Sequence, residues 1–312
     1  MTPAAQTKNW LGYLLCAAGA TLFSTKAIFI KLAYQETVDA SLMLAWRNIF
    51  AVPLFLAIGV YAVLQKRGQG VALPKPKLWL TAMATGFFGY YISSWLDFKG
   101  LEFISAQLER LVLFSYPFFV MFIGAIWWKQ PLTRHGLIAA GITYLGLTIV
   151  FGLDLPEGGR NTIIGSSLVL LCALFFAIYQ LMAKSYISLF GSVLFTSVTM
   201  SSAGVMLILH RYVVSGDYAA SPRFLWLSFG TAIFATVIPS FLINAGLARI
   251  SSQAVGMIST ISPLVTIVLA VAILGEDFTI ADAIGSGLVL AGVGYFTWGD
   301  MRQKAVAANA PA

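Results

Sequence analysis

The sequence predicts an all-α polytopic membrane protein: ten transmembrane helices forming two inverted five-helix repeats, with both termini in the cytoplasm. Three observations carry that expectation. Only 10% of the residues are charged and 59% are hydrophobic, whereas ordinary soluble domains carry about 25% charged residues. Apolar stretches of about 20 residues, long enough to cross about 30 Å of hydrocarbon, recur from end to end. One segment also occurs twice, as "ISAQLERLVLFSYP" (104–117) and "ISSQAVGMISTISP" (250–263), an offset of 146 residues. Both copies open on Ile-Ser-x-Gln and close on Pro; only the first contains charges, Glu109 and Arg110.

The ten stretches fall at roughly 10–33, 39–64, 78–99, 103–127, 135–153, 163–187, 191–214, 223–248, 250–275 and 280–300. Short polar or turn-forming segments separate them, such as "QKRGQGVALPKPK", "LDLPEGGRN" and "SGDYAASPR". The start, "MTPAAQTKNW", lacks a basic leader and the first stretch is too long for a signal core, so no cleavable signal peptide is expected. The Ala-rich tail from Gln303 is expected to be disordered. Cys16 and Cys172 fall inside apolar stretches and read as buried thiols rather than a disulfide framework.

The net charge of +7 fits membrane topology better than nucleic-acid binding. With the N-terminus inside, eleven Lys and Arg fall on the inner side and five on the outer, the bias that sets orientation. The other basic residues, Lys26, Arg47 and Arg110, lie within the stretches.

The repeat extends beyond the quoted segment. "SSWLDFKGLEFIS" (93–105) lies over "PSFLINAGLARIS" (239–251), and "GYLLCAAGATLFSTKAIFIK" (12–31) over "GSSLVLLCALFFAIYQLMAK" (165–184). Five crossings per half, residues 1–154 and 155–312, require the second half to be inverted. Secondary transporters share this plan and hold substrate near the midplane between the halves.

At this point the sequence resembles a known family. Ten helices in two halves, each half ending in a Pro-bearing helix, a short turn and a Gly-rich last helix, are similar to the drug/metabolite transporter superfamily in its EamA branch. "SPLVTIVLAVAILGEDFTIADAIGSGLVLAGVGYF" (262–296) carries the likeness best, with "LGE" before the last helix. The first half departs from it, with "WKQPLT" in the place of that turn. Within the branch the chain resembles the aromatic amino acid exporters.

Five ionisable residues lie inside the apolar stretches: Lys26, Arg47, Asp97, Glu109 and Arg110. A charge at a helix centre costs about 2.5–3.5 kcal/mol on insertion scales, so these face the protein interior or a polar path. In the expected topology all five fall in the outer half of the membrane. Their counterparts are neutral: Tyr179 for Lys26, Ile243 for Asp97, Val255 for Glu109 and Gly256 for Arg110. The cluster can act as an external gate, present a cation to a substrate carboxylate, or tie helices together statically; Asp97 can also snorkel to the interface.

Pro117 and Pro263 stand mid-span and are expected to bend their helices, either beside a cavity or as ordinary kinks. Trp46, Tyr90, Tyr91, Trp95 and Tyr179 lie deep or near the charges and suit an aromatic or amphipathic cargo; lipid-facing packing explains such residues too. Trp10, Trp79, Trp127, Trp128, Trp226 and Trp298 read as interface belts. Ser240, Asn244, Gln253, Ser259 and Thr260 are the polar candidates of the second half for lining the path, or for bonding helix to helix. Gly136/Ala140, Ala281/Gly285 and Gly287/Ala291 are small-residue pairs suited to internal packing or a homodimer face.

There is no Walker A loop or catalytic motif, and His135 and His210 stand apart at span ends, so neither an enzyme nor a metal or other cofactor is expected. The reading is a secondary transporter of the bacterial cytoplasmic membrane. It would export small amphipathic metabolites, aromatic and some neutral amino acids among them, by alternating access. A different cargo, such as a sugar derivative or a drug-like cation, or a membrane scaffold without transport, are the competing readings.

Overall fold

The computed structural model describes residues 3–128, 134–247, 249 and 261–308, and among these every regular element is helical. Helix α1 (Pro3–Tyr34) is followed by α2 (Ala40–Gly68), α3 (Pro76–Gly86), a π segment (Phe87–Ile92) and α4 (Ser93–Gly100). Then come α5 (Ala106–Leu113), α6 (Tyr116–Trp128), α7 (Arg134–Gly158), α8 (Arg160–Phe190) and α9 (Ser192–Val214). The chain continues through α10 (Pro222–Ala232), a second π segment (Ile233–Val237), α11 (Ile238–Leu247), α12 (Ile261–Leu269), a third π segment (Ala270–Leu274) and α13 (Ile280–Ala308).

Among the described residues, six helical stretches are long and apolar enough to cross a membrane: Trp10–Tyr34, Ala40–Gly68, Ala106–Trp127, Arg160–Ala183, Ser192–Val214 and Pro222–Ile243. Arg134–Val150, Ser262–Leu274 and Asp282–Tyr295 are apolar but shorter. The expected third crossing is helical throughout, yet it stands outside the apolar set, its Trp, Tyr, Thr, Gly and Ser residues diluting its hydropathy.

Local chemistry sets the helix starts. Asp39 accepts the Leu42 amide at 3.0 Å to open α2, Ser105 accepts that of Leu108 at 3.1 Å to open α5, and Ser221 accepts that of Phe224 at 3.1 Å to open α10. Thr279 and Asp282 exchange backbone-to-side-chain bonds at the head of α13. Ends are set as locally. The expected loop around 153–161 contracts to Gly159, at φ 52, because α7 continues to Gly158 and α8 starts at Arg160. Gly191, at φ 77, alone separates α8 from α9. The expected disordered tail is helical to Ala308, in keeping with the helix propensity of its alanines.

The first two π segments begin at Phe87 and Ile233, 146 residues apart. At each, a hydroxyl in the segment or just after it donates to the carbonyl five residues back: Ser93 to Phe88 at 3.0 Å and Thr236 to Thr231 at 2.9 Å. The expected bend before Pro117 is present as a break at Phe114–Ser115, where the bonding shifts to Ser115 N–H donating to Val112 O at 3.0 Å. Pro263 is buried in the first turn of α12, where a missing N–H is tolerated; the carbonyl of Ser259 lies outside the described residues.

The two parts of the chain interleave. The most extensive packing pairs α7 with α13 and α2 with α9; α1 lies against α10, α11 and α12, and α8 against α4, α5 and α6. Gly285 packs on the Gly146 carbonyl and Val150 of α7, which assigns that small-residue position to internal packing. Gly287 and Ala291 face outward. Of the expected interface tryptophans, Trp10, Trp127, Trp226 and Trp298 are exposed.

Candidate functional site

Three separate helices bring four of the five expected charges into one cluster. Lys26, on α1, places its Nζ 2.5 Å from Asp97 Oδ2 on α4 and 3.5 Å from Glu109 Oε1 on α5. Arg110 Nε lies 3.8 Å from Glu109 Oε2, and its Nη2 donates to the Phe23 carbonyl at 3.3 Å. Arg47, on α2, stands beside this group. Its Nη2 donates to Ser94 Oγ at 3.4 Å and its guanidinium lies 4.7 Å from the Phe98 ring centroid. Arg47, Asp97, Glu109 and Arg110 are all buried, so none faces lipid or snorkels. Asp97 Oδ1, both Glu109 oxygens, Arg47 Nε and Arg110 Nε have no hydrogen-bond partner among the described residues. One ammonium thus serves two carboxylates, and the cluster keeps spare capacity to bond a ligand group or exchange a proton.

Two residues from Lys26, α1 is bonded to α12. Ser24 Oγ meets Ser262 Oγ at 2.8 Å, and Thr266 Oγ1 donates to the Ser24 carbonyl at 3.1 Å. The cluster therefore sits where the early and late parts of the chain meet. Composition did not single out Ser24, Ser262 or Thr266; the readable signal was a hydroxyl at mid-span.

The aromatic candidates divide into two groups. Tyr90 and Tyr179 bond hydroxyl to hydroxyl at 3.1 Å with rings edge to face at 4.9 Å. Gly89 makes that approach possible, because any Cβ there would fall 2.3 Å from the Tyr179 ring. Tyr91 and Trp95 instead turn toward α9. The Tyr91 hydroxyl lies 2.7 Å from His210 Nδ1, and the Trp95 ring centroid is 6.3 Å from that of His210. His210, which reads as a lone residue in the sequence, is thus engaged by the π segment and α4. Trp46 donates its Nε1 to the Tyr218 carbonyl at 3.1 Å. In the second half Ser240 is buried and donates to the Thr236 carbonyl at 2.6 Å, a bond within its own helix. The backbone of Asn244 belongs to α11, its side chain is not described, and Gln253, Ser259 and Thr260 lie outside the described residues.

One end of the molecule carries a second polar layer that sequence reasoning missed. Glu276 accepts the amides of Ala106 (2.8 Å) and Gln107 (3.2 Å) at the N-terminus of α5, and Gln107 Nε2 donates to the Asp277 carbonyl at 3.0 Å. A carboxylate there satisfies two free amides and opposes the positive end of the helix dipole. Glu276 is the Glu of the "LGE" turn, and Gly275, at φ 69, provides the left-handed residue the turn requires. At the same end Arg211 pairs with Asp39 at 2.6 Å, Arg223 with Glu36 at 2.9 Å, and Lys99 with Glu102 at 2.5 Å. Burial raises the Asp39 carboxyl, but bonds from Ser41 and the Leu42 amide and the charge of Arg211 outweigh it and hold the group below its ordinary value. Among the described residues no cluster of His, Cys, Asp or Glu has the makings of a metal site.

Known proteins match this architecture over nearly its whole length. The profile of the EamA-like transporter family fits residues 10–152 and again residues 163–298. A Bacillus subtilis (strain 168) protein described as the uncharacterized transporter YcbK is 31% identical over 300 residues, 91% of this chain and 93% of that protein. An uncharacterized transporter of Archaeoglobus fulgidus is 25% identical, across 75% of this chain and 81% of its own. A protein of known crystal structure shares the fold at a TM-score of 0.65 with 16% identity, covering 92% of this chain and 98% of that one. Helices long enough to span a bilayer, buried charges gathered between them and a family profile fitting twice lead to one assignment: this chain belongs to the EamA-like transporter family.

Proposed function

We propose that this transporter is a secondary carrier of the bacterial cytoplasmic membrane that exports small amphipathic metabolites, aromatic amino acids foremost, by alternating access to a route between two inverted halves. The Lys26–Asp97–Glu109 cluster carries the reading. It is buried, charged, incompletely hydrogen-bonded and placed where α1 meets α12. Such groups inside a membrane protein mark substrate or ion pathways. In this reading an amino acid gives its carboxylate to Lys26 or Arg47 and its aromatic ring packs toward the tyrosines Tyr90 and Tyr179.

In this reading the end bearing Glu276 faces the periplasm. Opening it would part Glu276 from the head of α5 and Arg223 from Glu36, while the opposite end closes. Asp97 and Glu109 are the groups that could carry a proton in exchange; efflux down a gradient would need neither.

The test is counterflow in proteoliposomes with labelled phenylalanine, tryptophan and threonine. Uptake of the two aromatic amino acids against preloaded substrate is expected. Uptake of none of the three would remove the cargo assignment while leaving the family membership intact.

A further inference from the structure

A groove of about 430 Å³ runs between α2, α3 and α9, away from the ion cluster. That volume lies within the range of ligand sites. Val60, Leu64 and Met83 form apolar walls, Arg67 and Trp79 stand at its mouth, and Ser197 and Ser201 of α9 line it.

The serines are what set this groove apart from an ordinary lipid-facing surface. They are 2% and 7% exposed, and neither hydroxyl has a hydrogen-bond partner among the described residues. Their neighbours on the same helix satisfy themselves within it, Thr199 on the Phe195 carbonyl at 2.9 Å and Ser202 on that of Thr199 at 3.0 Å. A buried hydroxyl without a partner is costly where no water competes, so an acceptor within the groove is called for. Ser197 lies five residues into α9, about 7–8 Å along its axis at 1.5 Å per residue. The polar zone on each side of a bilayer is about 5–8 Å deep, which puts this hydroxyl near the level of glycerol ester carbonyls.

The mouth supplies the complementary charge. Arg67 lines it, and the Lys66 ammonium lies beside Gly191, which precedes α9 and has no side chain to cap it. The first amides of a 23-residue helix therefore open toward the same place. Lys75 and Lys77 are exposed nearby in sequence at the same end.

We propose that this groove is a binding site for one anionic phospholipid. An acyl chain lies along Val60 and Leu64, an ester carbonyl accepts from Ser197, and the phosphate is held by Arg67, Lys66 and the start of α9. The site depends on neither the cargo nor the direction of transport.

The full-length protein, equilibrated in vesicles of equal parts phosphatidylglycerol and phosphatidylcholine and then released into detergent, would be weighed by native mass spectrometry. One retained phosphatidylglycerol is expected, and added inorganic phosphate should not displace it. Arg67→Gln should weaken that preference about five-fold, the scale for one cation near an anionic lipid surface. Val60→Trp, at an exposed position, should fill the groove and abolish retention; Leu64→Trp serves if that variant fails to fold. Equal retention of phosphatidylcholine, displacement by phosphate, or retention unchanged in Arg67→Gln and in a folded groove-filling variant would each overturn the proposal.

Discussion

The helix from Pro76 to Gly100 and the helix from Pro222 to Leu247 switch to π geometry at Phe87 and Ile233, the same register of the repeat. Beyond that shared device they differ completely. Ten residues on, the first presents Asp97 to Lys26. The second presents Ile243 to Gly19, so close that a Cβ on that glycine would lie 2.7 Å from the isoleucine. One position joins an ion cluster and its counterpart fills a hydrocarbon contact, on the same backbone. The lesson is that backbone irregularity and site chemistry are separable: the repeat specifies where a helix changes pitch, and single side chains specify what that change exposes.

Five variants probe this contrast, in order of expected effect. Asp97→Ala removes one partner of a buried pair and should cost about 3–5 kcal/mol, seen as a large fall in the melting temperature of the purified protein and loss of counterflow. Combining Lys26→Met with Asp97→Leu should recover most of the melting temperature but no transport; recovered transport would make the pair mere scaffolding. Ile243→Asp places the charge in the other copy, where Gly19 offers no partner. It should destabilise by about 2.5–3.5 kcal/mol, and an unchanged melting curve would mean that the two positions are chemically equivalent. Glu276→Ala uncaps α5 at a cost of about 0.5–2 kcal/mol, and should make a cysteine placed near Gln107 label faster with a membrane-impermeant thiol reagent. Tyr90→Phe deletes one hydroxyl bond, for about 0.5–1.5 kcal/mol, and should leave tryptophan counterflow nearly intact because the ring remains. Separately, Glu109→Gln and Asp97→Asn test proton exchange: a pH profile of flux identical to that of the parent in both would exclude these carboxylates as carriers.

The charged cluster was legible in the sequence because ionised groups in apolar stretches are few and must find each other. Lys26, Asp97, Glu109 and Arg110 do so at 2.5–3.8 Å. The break before Pro117 was legible for a comparably local reason, the missing proline N–H. Glu276 was not. Its partners, the amides of Ala106 and Gln107, are 170 and 169 residues away and carry no side-chain signature of the bond. Tyr91 and Trp95 were grouped with Tyr90 because all three lie deep in their stretch or near the charges. Helical geometry sends them to another face, where His210 waits on α9. The loop expected around Pro156 failed because hydropathy treats polar residues as a break, whereas a helix emerging from a bilayer can simply continue into water.

The π segments give the ion cluster a tolerance to chain length that no side chain reveals. A wide turn closed by i→i+5 bonds fits one more residue into a winding than an α turn does. Deleting one residue between Phe87 and Ile92 would let that turn shrink to regular α geometry while the helix beyond it keeps its azimuth, so Asp97 would still point at Lys26. The same deletion in regular helix, between Ser93 and Leu96, would swing Asp97 away by about 100° although no charge had been altered, so the loose turn is the one stretch of this helix where residue count and the direction of the site are uncoupled.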